Sequence, residues 1–541
     1  EPSPVPAGIT RSPMTDPWSP DVFVSFDADG TVHIISHRSE MGQGIRTGLP
    51  AVLADEMEAD WDRIVVEQAT GDAKYGDQNT DGSHSVRDFM QRMREAGATV
   101  RRMLEQSAAG QWGVDVAECR AQLHTVVHEP SGRVLDYGEL VAGAAELPVP
   151  GLEQLRFKSR DEFRYIGKGL PIVDMHDMTH GSAMYGADIR LPGMKFAAIA
   201  RPPVVFGKVK SYDASAALAV AGVEQVVEIP SAEPPAMFKA LGGVAVIASN
   251  SWAALKGRDL LTIEWDDGPN ADYDSAAYKT ALLEAVRRPG TVTRDDGDAE
   301  AALAAADRTV AAEYYAPHLA HAPMEPPAAV ASVTADFCEI WAPTQHPQSL
   351  IPMAQAVTGL PPEQIRVNVT LLGGAFGRKS KCDFAEEAVY LSKQLGAPVL
   401  VQWSREDDIR HDYFHSVSAQ RLEAGLDAEG SVVAWRHRLC YPSIMSTFDP
   451  SVREAAPLEL GLGAQNVPYA IPNLRLETGP ADAKVRIGWL RSVCNIFQSF
   501  GINAFSDEIA HARGVDPLEN LLELLGPDRE IDVAALGLEA T

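Results

Sequence analysis

Residues 365–384 read IRVNVTLLGGAFGRKSKCDF. An apolar run with strand character, 365–372, passes through glycines into a helical pattern that starts near Asp383. Glycine lets such a turn take positive φ and approach a ligand closely. The helix N-terminus beyond it offers unpaired N–H groups and a favourable dipole to an anion. Arg378 and Lys379 add charge at the same place. A second turn of this kind, Met41-Gly42-Gln43-Gly44, follows the alternating stretch 21-DVFVSFDADGTVHII-35, whose Asp29-Gly30 pair predicts a hairpin. A helical pattern at about 44–60 follows it. Neither turn has the Gly-Lys-Ser/Thr of a nucleotide triphosphatase or the G-x-G-x-x-G of a dinucleotide fold, which disfavours both classes.

Working outward, the pattern predicts a strand at 64–68, a disordered-looking polar loop at 71–83, an amphipathic helix at about 87–109 and a turn-rich linker at 128–160. Short strands and Ala-rich helices over 161–270 read as a compact α/β insert. From 271, Ala-rich helices alternate with strands at 309–316, 329–335, 365–372 and 398–404, and a last helix spans about 517–525. These elements predict a multidomain α+β or α/β fold with segments 1–160, 161–270 and 271–541.

The 541 residues suffice for several cores, and 45% apolar with 23% charged residues excludes a disordered or fibrous chain. Lys plus Arg number 47 against 75 Asp plus Glu, a net charge of −28. So acidic a surface repels phosphate backbones and anionic lipid, so nucleic acid is not an expected partner. Apolar runs fall short of a membrane span. The five cysteines, Cys119, Cys338, Cys382, Cys440 and Cys494, form no C-x-x-C and no four-thiolate cluster. We read them as mostly buried free thiols, with no metal held by this chain's own side chains. The Pro-rich start, 1–20, has the look of a processed terminus.

Taken together, Met41 to Gly44, Gln345 in 341-WAPTQHP-347, the loop 372–379 and Arg491 in 489-WLRSV-493 resemble the large molybdenum-binding subunit of the xanthine oxidase family, isoquinoline 1-oxidoreductase β-subunit type. The stretches 181-GSAMYGADIRLPG-193 and 209-VKSYDASAALAVAGV-223 resemble its α/β hammerhead domain, and 321-HAPMEPPAA-329 and 495–517 also fit. The resemblance implies molybdenum-binding domains over 1–160 and 271–541 around a hammerhead domain over 161–270. It implies molybdopterin cytosine dinucleotide with its molybdenum as the cofactor, the metal being held by pterin sulfurs. Gly42, Gln43 and Gly44 would hold the pterin. Gly374, Phe376 and Gly377 would lie over the metal, Gly373, Ala375, Arg378, Arg491 and Ser492 would also be cofactor-binding, and Arg491 would lie near the substrate. Gln345, Phe376 and Arg491 would be the residues closest to the chemistry, Gln345 as donor to an oxygen ligand of the metal.

The implied activity is oxidation of an aldehyde to an acid, or hydroxylation of an N-heteroaromatic ring, with water as the oxygen source. The implied partners are a small subunit carrying [2Fe-2S] clusters and a cytochrome c, and the implied location is the periplasm. The family's catalytic base is a glutamate in Gly-x-Gly-Glu, and this sequence contains no such motif. A second polypeptide supplying the C-terminal molybdenum-domain segment and that glutamate is therefore expected. Ser380 stands where purine-oxidising members carry an acid, which disfavours purines, and Ser492 after Arg491 speaks against the copper-containing carbon monoxide branch.

Other candidates have plainer readings. His176 and His180 form an i, i+4 pair without a third ligand. His318 and His321 read as satisfied buried histidines. Glu325 is the one carboxylate beside a family motif that could replace the base, His411 and His415 read as a solvated face, and Cys494 reads as a packed core thiol. Two rival functions stand beside the enzyme: a non-catalytic assembly or cofactor-carrier scaffold, and a flavin or nicotinamide oxidoreductase using the same turns.

Overall fold

The structure, a computed structural model, describes residues 18–532 and 534. Residues 1–17 of the Pro-rich start and nearly all of the tail past 532 lie outside the described residues. Among the described residues no helix is long and apolar enough to cross a membrane.

The alternating start folds as expected. Val24–Phe26 and Val32–Ser36 pair antiparallel with Val24 opposite Ile34, and Gly30 takes φ 90° in the turn. The helix Ile45–Met57 then carries the chain back so that Ile64–Gln68 lies parallel to Val32–Ser36. That helix packs on the long helix His84–Trp112, which runs past the expected 87–109 at both ends. Gly97 permits the approach, since a Cβ there would lie 2.5 Å from the Leu53 carbonyl oxygen.

A seven-stranded sheet forms the largest layer, in the order Val223–Ile229, Gly243–Ala248, Lys195–Ala200, Val399–Gln402, Ala328–Val333, Cys338–Ala342 and Ile365–Val369. Helices Leu350–Thr358 and Asp383–Leu395 cover it through Leu350, Phe384, Ala388, Val389 and Leu391, all buried. Strands Thr291–Asp296, Leu474–Gly479, Val432–Cys440, Ser418–Leu426 and Arg308–Ala316 make a five-stranded sheet against helix Asn495–Arg513.

Three expectations need correction. The stretch 161–270 does not close on itself: three of its strands are the edge of the seven-stranded sheet, because Lys195–Ala200 pairs parallel with Val399–Gln402. The stretch 128–160 is not all linker, since Arg133–Asp136 is a strand and Tyr137–Ala145 a helix with a capping box of Asp136 and Glu139. The loop 71–83 is held rather than disordered. Gln78 is fully buried and donates to the Thr70 carbonyl, and the Thr80 N–H donates to the Gln345 carbonyl.

Two parallel pairs matter most. Val32–Ser36 beside Ile64–Gln68, and Cys338–Ala342 beside Ile365–Val369, belong to different sheets. The carboxyl ends of three of these strands run into the turns singled out from sequence, and that of Ile64–Gln68 runs into the loop 71–83; such strand ends are where open α/β sheets place ligands.

Candidate functional site

Direct hydrogen bonds bring these turns together. The Leu372 N–H donates to the Glu40 carbonyl at 2.9 Å, joining the two glycine turns. The Ser39 hydroxyl donates to the Thr344 carbonyl, and the Ser39 N–H to the Thr80 hydroxyl. Gln345 ties three segments: its Nε2 donates to the Thr80 carbonyl at 2.9 Å, its Oε1 accepts from the Gly377 N–H at 3.0 Å, and its own N–H donates to the Lys379 carbonyl. The Arg491 N–H donates to the Phe376 carbonyl at 2.8 Å. Thus residues 39–44, 78–80, 344–345, 372–379 and 489–493 form one surface.

That surface is strained and open. Phe376, Ser492 and Val493 take φ of 56°, 69° and 47°, and left-handed backbone at a β-branched residue costs roughly 1–3 kcal/mol unless its surroundings impose it. Gly42, Gln43, Phe376, Arg491 and Ser492 are exposed. A Cβ built on Gly42 or Gly44 would meet nothing within 4 Å, so the space over both is free for a ligand. The three consecutive N–H groups of Gly374, Ala375 and Phe376 find no acceptor among the described residues, nor does that of Gln43. Unpaired donors beside open glycines suit an anionic or oxygen-rich group, so the residues present fit the cofactor that the resemblance implies.

The turns are anchored from behind by charges that the sequence pattern placed in front. Glu40, almost fully buried, accepts from the Gly42, Gly44 and Arg46 N–H groups at 2.9–3.0 Å. The anion satisfying that helix N-terminus is therefore the chain's own carboxylate, and the Gly42 and Gly44 N–H groups are not open to a phosphate. An acid two residues before a G-x-G at a helix start is the signal that reveals it.

Arg378 also differs from expectation. Its guanidinium is fully buried and binds Asp383 and Asp412, so it braces the turn from behind. Burial works against its charge, but Asp383 and Asp412 outweigh that. Burial lifts the Asp412 carboxyl, but His321 and Arg378 bring it down to about 2. Lys379 is buried against Glu325, with Nζ 2.6 Å from Oε2, and burial holds its ammonium below the usual range.

Glu325 in turn accepts from the Gly186 and Gly373 N–H groups, both at 2.9 Å. With both oxygens engaged it is a brace, unsuited to replace the missing base. His321 is buried, its ring bridging Asp412 and the Trp489 carbonyl, and His318 meets the His415 carbonyl. His411 and His415 are not a solvated face. His415 is buried against Phe497, and burial pulls it down to about 4 and His411 down to about 3. Cys494 packs with Tyr441 and Phe497, and all five cysteines are free. His176 and His180 sit exposed on the short helix Met175–His180, and no three-ligand metal cluster occurs among the described residues.

Glu40, Thr80, Trp489 and Lys381 belong to the site and were not singled out from sequence. Two small clefts, of about 180 and 200 Å³, lie elsewhere, between the turn at 202–206 and residues 482–486, and none of the residues expected to hold the cofactor lines them.

Family models described as molybdopterin cofactor-binding domains match residues 284–521 and 3–189. The β chain of isoquinoline 1-oxidoreductase from Brevundimonas diminuta is 29% identical over 95% of this chain and 71% of its own length. A nicotinate dehydrogenase chain of Pseudomonas putida is 28% identical over 98% of this chain and 44% of its own. Among solved structures, the aldehyde oxidoreductase of Desulfovibrio gigas shares the fold at TM-score 0.52 and 20% identity, over 71% of this chain and 46% of that one. The quinoline 2-oxidoreductase of Pseudomonas putida 86 does so at TM-score 0.50 and 21% identity, over 64% and 48%. The chain thus spans about half the length of these solved relatives. It belongs to the xanthine oxidase family, as a large molybdopterin cofactor-binding subunit.

Proposed function

We propose that the chain is the molybdenum-binding catalytic part of a hydroxylase that oxidises an aldehyde or an N-heteroaromatic ring. The observation that carries this is the convergence of five turns on one open, strained surface with consecutive unpaired N–H groups. When bound, a molybdenum–pterin group supplies two-electron oxidation with water as the oxygen source. The chain's residues do the rest. Gly42 and Gly44 admit the pterin at close range, and the Gln43 side chain, fixed by the Met41 N–H and the Ser39 carbonyl, lines its path. The unpaired N–H groups of Gly374, Ala375 and Phe376 and the second Nε2 hydrogen of Gln345 would be the donors available to oxygen atoms of the bound group. Phe376 and Arg491 flank the substrate, joined through the backbone, with Ser492 next in the chain.

In the same reading the cofactor carries cytosine dinucleotide, and the stretch 161–270 is the hammerhead region despite its shared sheet. Electrons leave to a small [2Fe-2S] subunit and then to a cytochrome c. The base comes from a Gly-x-Gly-Glu segment outside these 541 residues, and the complex works in the periplasm. The names of the related proteins, which are isoquinoline, nicotinate and aldehyde oxidoreductases, support the substrate class.

The test is to purify the complex and measure molybdenum, cytidine released by hydrolysis, and dye reduction with aldehydes and N-heteroaromatics. All three are expected. A folded complex lacking all three would favour the scaffold, and a yellow, metal-free dehydrogenase would favour the flavin rival.

A further inference from the structure

Behind the Phe376 turn lies a lysine that the reaction does not use. Lys381 is fully buried, and no carboxylate pairs with it among the described residues. Asp383 is taken by Arg378 and Arg486, and Asp412 by Arg378 and His321. A buried ammonium without a counter-ion is costly, so its remaining contacts must account for its presence.

They lead to both halves of the site. Nζ donates to the Gly377 carbonyl and, at 2.9 Å, to the Ser380 hydroxyl, which itself donates to the same carbonyl. The ammonium also lies 5.1 Å from the Trp489 ring centroid and 5.6 Å from that of Phe238, within cation–π range. Gly488 makes room for the stem, since a Cβ there would lie 3.1 Å from Lys381 Cε and 2.8 Å from Tyr413 Cβ. Gly377 is therefore held on both sides, its N–H donating to Gln345 and its carbonyl accepting from Lys381. Trp489 is gripped through its ring by Lys381 and through its carbonyl by His321.

We propose that Lys381 is a positioning residue that locks the Phe376–Gly377 turn to the Trp489–Val493 turn, fixing where Phe376 and Arg491 stand on the site surface. The lock is structural; only its effect on turnover rests on the function proposed above. It is also sensitive to pH. The charged groups facing Lys381 are Arg378, Asp412, Asp81 and Asp383, and burial followed by the Arg378 charge brings the ammonium down to about 7. Raising the pH through neutrality removes the cation from Trp489 while leaving an amine that still donates.

Lys381→Met and Lys381→Arg, made in the full chain and studied in its complex, test this. The wild type should show a change in tryptophan emission between about pH 6 and 9 that disappears in Trp489→Phe and in Lys381→Met. Lys381→Met should lower turnover about tenfold or more through misplacement of the turns, with unfolding stability at neutral pH held or raised because a buried charge has gone. Lys381→Arg should recover part of the turnover without the neutral-pH transition.

The proposal is overturned if Lys381→Met keeps the wild-type emission profile. It is also overturned if that variant loses stability and turnover together while Lys381→Arg does no better. If no preparation binds molybdenum but the Trp489 signal still titrates with Lys381, the functional reading fails and the lock stands. If molybdenum is bound and the signal is absent, the lock fails alone.

Discussion

Gly377→Ala is the most severe single-atom test of the packing behind the site. Gly377 has φ 107°, and a Cβ on it would lie 1.8 Å from the Trp489 carbonyl oxygen. Real contacts are not shorter than 3.0 Å, so the two turns must part by about 1 Å or more. That movement stretches the Arg491 N–H to Phe376 carbonyl bond, now 2.8 Å, and the His321 bond to the Trp489 carbonyl, now 2.9 Å. Losing two hydrogen bonds at ~1 kcal/mol each, on top of roughly 1–3 kcal/mol for alanine at this φ, predicts ~3–5 kcal/mol of destabilisation. Gly42→Ala is the control. Its φ of 101° imposes a similar backbone cost, but its Cβ meets nothing within 4 Å, so it should lose only the ~1–3 kcal/mol of strain. Urea unfolding of the two variants beside the wild type, followed by tryptophan emission, measures the difference. If Gly377→Ala is no less stable than Gly42→Ala, the close contact between the Phe376 and Trp489 turns is not as described.

Glu325→Gln should destabilise by ~3–5 kcal/mol, because it leaves Lys379 buried without its partner; a variant that melts like the wild type yet is inactive would instead make Glu325 a base. Gln345→Leu removes the link among residues 80, 345 and 377, and a loss of ~2–3 kcal/mol by calorimetry is expected together with loss of bound molybdenum. Gln43→Ala, at an exposed position, should lower the metal content without a change in melting temperature; equal metal in mutant and wild type would remove Gln43 from the site. Burial holds His37, His411 and His437 near 3 and His415 near 4. The unfolded chain therefore binds more protons below about 6.5, and stability is full above that pH and falls as the pH drops toward 3 to 4. Each such histidine costs up to ~1.4 kcal/mol per pH unit in that window. His37→Phe, replacing a ring that packs between Phe23 and Phe89 with no ring hydrogen bond among the described residues, should flatten the slope by about one proton, and an unchanged slope in pH-dependent denaturation would refute this.

Much of the local structure was legible because it rests on short-range physics. The Asp29-Gly30 hairpin, the helix 517–525 and both glycine turns follow from periodicity and from turn chemistry. What stayed hidden depends on contacts far apart in sequence. Nothing local says that Lys195–Ala200 pairs with Val399–Gln402, so the stretch 161–270 looked self-contained. The loop 71–83 is polar and looked loose, yet its polar groups are satisfied by Gln345, Gln348 and His37 from other segments. Arg378 and Lys379 looked like ligand-binding charges because two of their partners, Asp412 and Glu325, lie 34 and 54 residues away, although Asp383, the other partner of Arg378, is close in sequence. Glu40 could have been found, since it lies two residues from the first glycine whose N–H it accepts.

The most direct measurement is molybdenum per chain, by inductively coupled plasma mass spectrometry, in the purified complex of the wild type and of Gly42→Val. The side chain of valine would fill the open space over Gly42. About one molybdenum in the wild type, and a folded but metal-poor variant, is the expected pair of results. A folded wild-type complex without molybdenum, or a Gly42→Val complex as fully loaded as the wild type, would contradict the account.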